Sequence, residues 1–383
     1  MKVAASLLIS VLLAACASAP PMPPPDGLFH DELFDAPSAP IDPGEAMAVS
    51  AGMRSFIATR IVTGSPLNNP KRRLFDALYR KDALMLDYDA AVTRTAAQAF
   101  EARSGNCLAL VLMTAAFAKE MGLAVRYQSV LGHDAWDRAA DVYLSVGHVN
   151  LTLVDHASQA SAGFTEGESM TIDFMPPHSS RPLRTRVIAE HTVVAMYLNN
   201  RAVESLTGGR LGDAYGWARE AVRADPELLS AYITLGVVYR NQHHPELADQ
   251  ALRWVIEREP DNTMALSNRV LVLRDLGRHA EADALLLRLD RLEPHPPFSY
   301  FHQGMAALRE HRLEAARDLF EKEVDRAPNH HEFQFWLAIA YLELQDPARA
   351  TDHLTQAMEV SNTRKDHDLY AAKLERLKSR GSR

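Results

Sequence analysis

Apolar positions along this chain keep three different rhythms, and each predicts a different kind of element. After Cys107, the residues Leu108, Val111, Leu112, Ala115 and Ala118 recur at helical spacing, which predicts an amphipathic helix closed by Gly122. Residues 124–130 then read as a strand. From 142 to 153 the period falls to two, so Val149, Leu151 and Leu153 take one face of a strand and His148, Asn150 and Thr152 the other. Residues 170–174 repeat this pattern, separating Met170, Ile172 and Phe174 from Thr171 and Asp173. Beyond residue 195 the rhythm lengthens. Ala214, Ala248, Ala282, Ala316 and Ala350 stand 34 residues apart, as do Pro226, Pro260, Pro294 and Pro328. This predicts five helix pairs over 195–228, 229–262, 263–296, 297–330 and 331–362. In each, the alanine lets two helices approach and the proline ends the second. The first pair is degenerate, with Ala202 at the small position but Ser205 where a large residue is usual. Residues 363–383, with Leu369, Leu374 and Leu377 among basic residues, predict a solubilising cap helix.

The N-terminus adds an address. Lys2 precedes an apolar run over residues 4–13, too short to span a bilayer, which reads as a signal peptide over 1–15. Leu13-Ala14-Ala15-Cys16 resembles the bacterial lipobox, which implies that Cys16 is diacylated, becomes the new N-terminus and anchors the chain in a membrane. Ala17 follows, where inner-membrane retention usually goes with aspartate. The resemblance therefore points to an outer-membrane lipoprotein facing the periplasm. Pro20, Pro21, Pro23, Pro24, Pro25, Pro37, Pro40 and Pro43 make residues 16–43 a Pro-rich tether of polyproline II character, with folding expected from near Gly44. Of 383 residues, 47% are hydrophobic and 23% charged, and the net charge is −8. No basic patch invites a phosphate backbone, which argues against nucleic acid as a partner.

Chemistry concentrates in the first half. The chain has two cysteines. With Cys16 assigned to lipid, Cys107 is left without a disulfide partner in an oxidising compartment, and it sits in the first turn of the predicted helix. There, unpaired backbone N–H groups and the helix dipole favour a thiolate. His148 and Asp173 each fall on the polar side of a following strand. A thiol, an imidazole to take its proton and a carboxylate to fix the imidazole's tautomer are what a cysteine nucleophile requires.

Over residues 70–180 the chain resembles the transglutaminase-like superfamily, rearranged relatives of papain-type cysteine enzymes. The resemblance rests on Gly105-x-Cys107 leading into an apolar helix that ends Lys119-Glu120-Met121-Gly122-Leu123-Ala124-Val125-Arg126. Gly147-His148 and Ile172-Asp173 complete it, in the family's order Cys, His, Asp, with Tyr88-Asp89 and Thr95-Ala96 as a familiar lead-in. It implies an α+β transglutaminase-like (papain-like) domain over 44–190 with Cys107, His148 and Asp173 catalytic. The activity implied is that of a cysteine peptidase, amidase or protein transamidase on peptide-containing envelope material. Many members carry His-Ala-Trp, whereas this chain has His148-Val149-Asn150, so the flanking aromatic is missing. Asn150 then either lines the pocket from the same face as His148 or satisfies strand edges. The Cys107 amide is the first oxyanion donor, and Gln98 and Asn106 are candidates for the second. Thr95-Ala96-Ala97 caps the approach to the nucleophile.

The 34-residue pattern resembles tetratricopeptide repeats, best in the second repeat with Tyr232, Leu235, Gly236, Tyr239, Ala248, Leu252 and Pro260. That implies an all-α solenoid after the α+β domain, whose concave groove takes a protein or peptide. Groove positions carried over by register are Arg240, Asn241, Arg274, Asp275, Phe298, Phe301 and Arg309. His133, His156, His178 and His191 are expected in solvated loops or edges, and His243-His244 and His330-His331 at repeat turns. No metal-ligand spacing, Walker loop or Gly-x-Gly-x-x-Gly exists, so neither metal nor cofactor is expected. The competing expectation is a membrane-tethered scaffold or assembly factor whose first domain has lost activity.

Overall fold

A computed structural model describes residues 23–62, 69–80, 84–89, 92–130, 135–139, 142–146, 148–154, 169–174, 184–296, 298–361 and 364–381. The leader, Cys16, Pro20, Pro21, His133, Gly147, His156 and His178 lie outside the described residues.

After short 3-10 turns at Asp31–Leu33 and Pro43–Met47 comes α1 (Ala51–Phe56), which runs on as one π-helical turn over Ile57–Ile61. In α2 (Pro70–Tyr79) the Asn69 side chain accepts from Arg72 N and proline occupies the first turn. Then follow β1 (Asp87–Tyr88), α3 (Ala96–Ala102), β2 (Ser104–Gly105) and α4 (Cys107–Glu120). The strands after them are β3 (Ala124–Val130), β4 (Ala135–Ala139), β5 (Val142–Val146), β6 (Val149–Val154), β7 (Met170–Ile172) and β8 (Thr185–Ile188). An antiparallel sheet runs in the order β7-β6-β3-β8, while β4 and β5 form a separate hairpin.

Two expectations need correction here. The stretch 142–153 is two strands rather than one. Its apolar positions change phase, from Val142, Leu144 and Val146 to Val149, Leu151 and Leu153, and its partner changes from β4 to β3. Nor is α4 amphipathic: every residue from Cys107 to Ala118 is buried, and only its end reaches solvent. Val149, Leu151 and Leu153 of β6 share a core with it, and α3 and the turn at Pro43–Met47 also pack against it. The opposite row of β6 is buried too, and Thr152 in it finds partners on both neighbouring strands. Thr152 Oγ1 donates to Gln128 Oε1 at 3.1 Å and lies 2.9 Å from Thr171 Oγ1.

From residue 190 the chain is helical: α5 (Glu190–Thr207) with α6 (Leu211–Ala224), α7 (Leu229–Asn241) with α8 (Pro245–Arg258), α9 (Thr263–Asp275) with α10 (His279–Leu292). Then come α11 (Ser299–Arg309) with α12 (Leu313–Arg326), α13 (His331–Glu343) with α14 (Pro347–Glu359), and α15 (Arg364–Gly381) beyond them. His191 therefore lies on α5 rather than in a loop. The 34-residue alanines are fully buried between paired helices. At Gly304, in the register of Ala202, Gly236 and Ala338, a Cβ would stand 2.7 Å from Phe320 Cε1, so nothing larger than hydrogen fits without movement. Apolar packing is continuous from the α+β part into α9, whereas α11 to α14 share a second core. Between them, α10 buries Ala282 but leaves Leu287 63% exposed.

The expected tether is, from Leu28 onward, part of the fold. Leu28 is buried, and its carbonyl accepts from Tyr239 Oη at 2.6 Å. Phe34 stacks on Tyr215 with centroids 4.1 Å apart and planes 4° from parallel. Asp31 accepts from Tyr215 Oη and Arg219, and Asp213 accepts from both the N–H and the hydroxyl of Ser38. Proline content predicts extension but says nothing about burial. Leu28, Phe29, Phe34 and Ile41, spread among the prolines, give this strap its apolar contact with α6 and α7.

Candidate functional site

The site is built at the N-terminus of α4. Asn106 caps that helix: its Oδ1 accepts from Ala109 N at 2.9 Å, and its Nδ2 donates to Thr93 Oγ1 at 2.8 Å. Cys107 follows in the first helical position and is 5% exposed. Gly105 is required just before it, because a Cβ there would lie 2.9 Å from the Ala109 Cβ. The strand β2 holds this segment against β1 in parallel, with Tyr88 opposite Gly105 and Asp89 N donating to Gly105 O at 3.0 Å.

His148 stands just before β6 and is buried, with its carbonyl accepting from Val130 N on β3 at 2.9 Å. Its Nε2 lies 2.7 Å from Asp173 Oδ1, and the Cys107 side chain is near enough to favour the charged ring. Burial works to lower the imidazole's pKa. The hydrogen bonds to Asp173 and Cys107 and the charges behind them outweigh it, raising the pKa to about 9. Asp173 follows β7 directly, and its second oxygen accepts from Asn150 Nδ2 at 2.9 Å. A carboxylate gripped at both oxygens orients the imidazole, and the imidazole faces a thiol. That arrangement can move a proton to and from sulfur.

The other candidates fall elsewhere. Gln98 is exposed on α3, where it completes a capping box: Thr95 Oγ1 accepts from Gln98 N, and Gln98 Oε1 accepts from Thr95 N. The Thr95-Ala96-Ala97 lead-in is thus the start of α3, with the Gln98 side-chain oxygen engaged in its cap. Asn106 has both ends of its amide engaged in the α4 cap and is a structural group. Asn150 holds Asp173 instead of opening towards a substrate.

Two tyrosines escaped the sequence reading. Tyr88, 42% exposed as a whole residue, faces Cys107; desolvation of its hydroxyl, and then the facing thiol, raise its pKa, so it stays a neutral phenol. Tyr79 Oη donates to Asp173 O at 3.3 Å, its ring stacks on Phe174, and burial followed by the Asp173 charge pushes its pKa up to about 12. A two-residue strand such as β1 has no periodicity to reveal Tyr88. Its only signal was the Tyr88-Asp89 lead-in.

In the helical array, Phe298 and Phe301 do not line a groove. They are 4% and 7% exposed and pack with Phe320 and Phe333 in the core. Both are large enough to fill the space between helix pairs, and register alone does not separate groove from core. Arg240 pairs with Asp275 across two repeats at 2.5 Å, Asn241 donates to Val237 O, and Arg309 donates to Met305 O. Arg274 is exposed. Among the described residues no group of three His, Cys, Asp or Glu side chains could hold a metal ion, and no helix is long and apolar enough to cross a membrane.

Comparison with known proteins reaches the helical half. The tetratricopeptide repeat family model matches residues 233–295 and 301–358. A TPR repeat-containing protein of Pseudomonas aeruginosa is 30% identical over 113 residues, 29% of this chain and 19% of that protein. The type IV pilus assembly protein PilF of the same organism is 29% identical over 106 residues, 27% of this chain and 42% of PilF. The chain therefore spans less than half the length of these curated relatives. Among solved structures, YrrB, a TPR protein with an unusual peptide-binding site, is 21% identical, with 47% of this chain and 92% of that one covered at a TM-score of 0.25. MamA from Desulfovibrio magneticus RS-1 is 20% identical, covering 45% and 96% at a TM-score of 0.26. The C-terminal half is a tetratricopeptide-repeat array, a kind of module that binds peptide or protein partners.

Proposed function

We propose that this chain is a lipid-anchored envelope protein in which a cysteine nucleophile, Cys107, acts on amide bonds and the repeats hold a protein or peptide near it. The observation that carries the reading is His148 held by Asp173 at 2.7 Å, with Asn150 on the second carboxylate oxygen and Cys107 acting on the same ring. The sulfur, relieved of its proton by His148, attacks an amide carbonyl carbon and forms a C–S bond. The tetrahedral oxyanion collapses as His148 gives the proton to the departing nitrogen, leaving a thioester on Cys107. Water or a primary amine then adds, His148 takes its proton, and the C–S bond breaks to give a carboxylic acid or a new amide. The lipobox at Cys16 and the missing aspartate after it support an anchor in the outer membrane facing the periplasm.

A second reading has its own support. The family model matches residues 233–295 and 301–358, within the repeats, and one relative is named for pilus assembly, which favours a tethered scaffold that binds envelope proteins without chemistry. The burial of Cys107 at 5% exposure fits it too. Iodoacetamide labelling at pH 6 separates the two. Alkylation of Cys107 about tenfold or more faster than that of free cysteine is expected for an activated nucleophile. Labelling no faster than free cysteine, with wild type and His148→Ala alike, leaves the scaffold.

A further inference from the structure

The cap that fixes Cys107 is itself fixed from the repeats. Thr93, 1% exposed, is the joint. Its Oγ1 accepts from Asn106 Nδ2 at 2.8 Å and from Asn200 Nδ2 at 3.3 Å, and its N–H donates to Glu204 Oε1 at 2.6 Å. Asn200 and Glu204 both belong to α5, the first helix of the array. The other carboxylate oxygen of Glu204 holds Arg201 at 2.6 Å, and the Arg201 guanidinium lies over the Trp217 ring of α6 at 5.5 Å. At the far end of α4, Lys119 Nζ reaches both oxygens of Glu190, the first residue of α5, at 2.6 and 2.7 Å. One helix of the array thus grips the nucleophile's helix at both ends.

We propose that α5 is part of the Cys107 site, with Asn200 and Glu204 as positioning residues acting through Thr93 and the Asn106 cap. This inference rests on the reading of Cys107 as a nucleophile. Its physical basis is the cost of leaving the joint incomplete. Thr93 N–H is buried, and without Glu204 it has no acceptor, so the segment moves to find one and takes the Asn106 side chain with it. Asn106 sets where α4 begins, and hence where Cys107 Sγ stands relative to the His148 ring. A displacement of a fraction of an ångström there weakens a hydrogen bond on which proton transfer depends. Since Arg201 and Trp217 extend the line into α6, a partner seated on the first repeats has a route of direct contacts to the nucleophile's cap.

The test uses the full chain and follows alkylation of the Cys107-bearing peptide by iodoacetamide from pH 5 to 9. Glu204→Ala removes the acceptor, whereas Glu204→Gln keeps an oxygen for Thr93 N–H and gives up the charge and the bond to Arg201. The expected result is that Glu204→Ala slows alkylation at pH 6 by about tenfold and changes the shape of the pH profile, the scale of effect that small misplacements produce. Asn200→Ala should do the same to a lesser degree, and Glu204→Gln should restore the wild-type profile. An unchanged profile in Glu204→Ala, whether or not its melting temperature falls, overturns the inference while leaving the nucleophile intact. So does a Glu204→Gln protein as impaired as Glu204→Ala. A wild type no more reactive than free cysteine sinks the nucleophile reading, and the role of α5 with it.

Discussion

At the scale of single residues, the titration of His148 is the most informative property of the site. Its folded pKa of about 9 lies above the usual value near 6.5, so its contribution to stability is complete below pH 6.5 and disappears as pH rises towards 9. The linkage amounts to about 3 kcal/mol. Urea unfolding of wild type and His148→Gln at pH 6 and pH 9 should therefore show a difference that shrinks at the higher pH. A constant difference would mean that Asp173 and Cys107 do not hold the charged ring. The Tyr88 hydroxyl permits a second measurement. Tyr88→Phe removes a hydroxyl that faces Cys107 and leaves sulfur in place, so alkylation should change by less than about twofold. Acylation by an activated ester, whose developing oxyanion the neutral phenol can donate to, should slow by about tenfold. Equal slowing of both reactions would make Tyr88 a support for Cys107 alone. Of these residues, Cys107, His148 and Asp173 were legible because their chemistry is rare and their polar positions stand out against apolar neighbours. Tyr88, Tyr79 and Thr93 were not, because each matters through a contact that the local sequence does not encode.

Among elements, the helix pairs were the most legible, since a 34-residue spacing is local and repeats itself. What remained hidden was their unequal packing. Gly304→Ala should cost about 1–3 kcal/mol, because its Cβ would meet the Phe320 ring at 2.7 Å. The same change at Gly236, where the nearest side-chain atom is Leu252 Cγ at 3.1 Å, should cost less, as compared by thermal melts. His330 gives the last two repeats an acid limit. Burial, and then the neighbouring His331, lower its pKa to about 3, while its ring stacks on Phe333 at 3.9 Å and its Nδ1 is buried without a partner. A histidine kept neutral in this way stabilises above about pH 6.5 and loses that contribution as pH falls towards 3. A loss of about 3 kcal/mol by pH 4 is expected, and His330→Phe should flatten it. An acid melt in which wild type and variant fall together would place the sensitivity elsewhere. The strand β6 teaches the complementary lesson. Its alternation was plain in the sequence, but the change of partner at its start was decided by β3 and β4, outside the segment.

For the whole molecule, the strap over residues 28–42 is what composition misread. Prolines and small residues fit a spacer, and only the few apolar side chains between them mark a bound segment. Phe34→Ala should destabilise the protein by about 2 kcal/mol through lost stacking on Tyr215. Tyr239→Phe should cost about 1 kcal/mol, since Leu28 O is left without its donor. Both are measurable by denaturant unfolding, and wild-type stability in both would mean the strap rests on the array without holding it. The strap also sets a timetable. Leu28 and Tyr239 are 211 residues apart, and Ser38 and Asp213 are 175 apart. Closing so long a loop through an unfolded interior costs roughly 5 kcal/mol. As the chain is synthesised or exported N-terminus first, this segment emerges early and has nothing to bind until α7 exists. A segment made early is thus among the last to settle, and it closes over α6 and α7 only after they have formed.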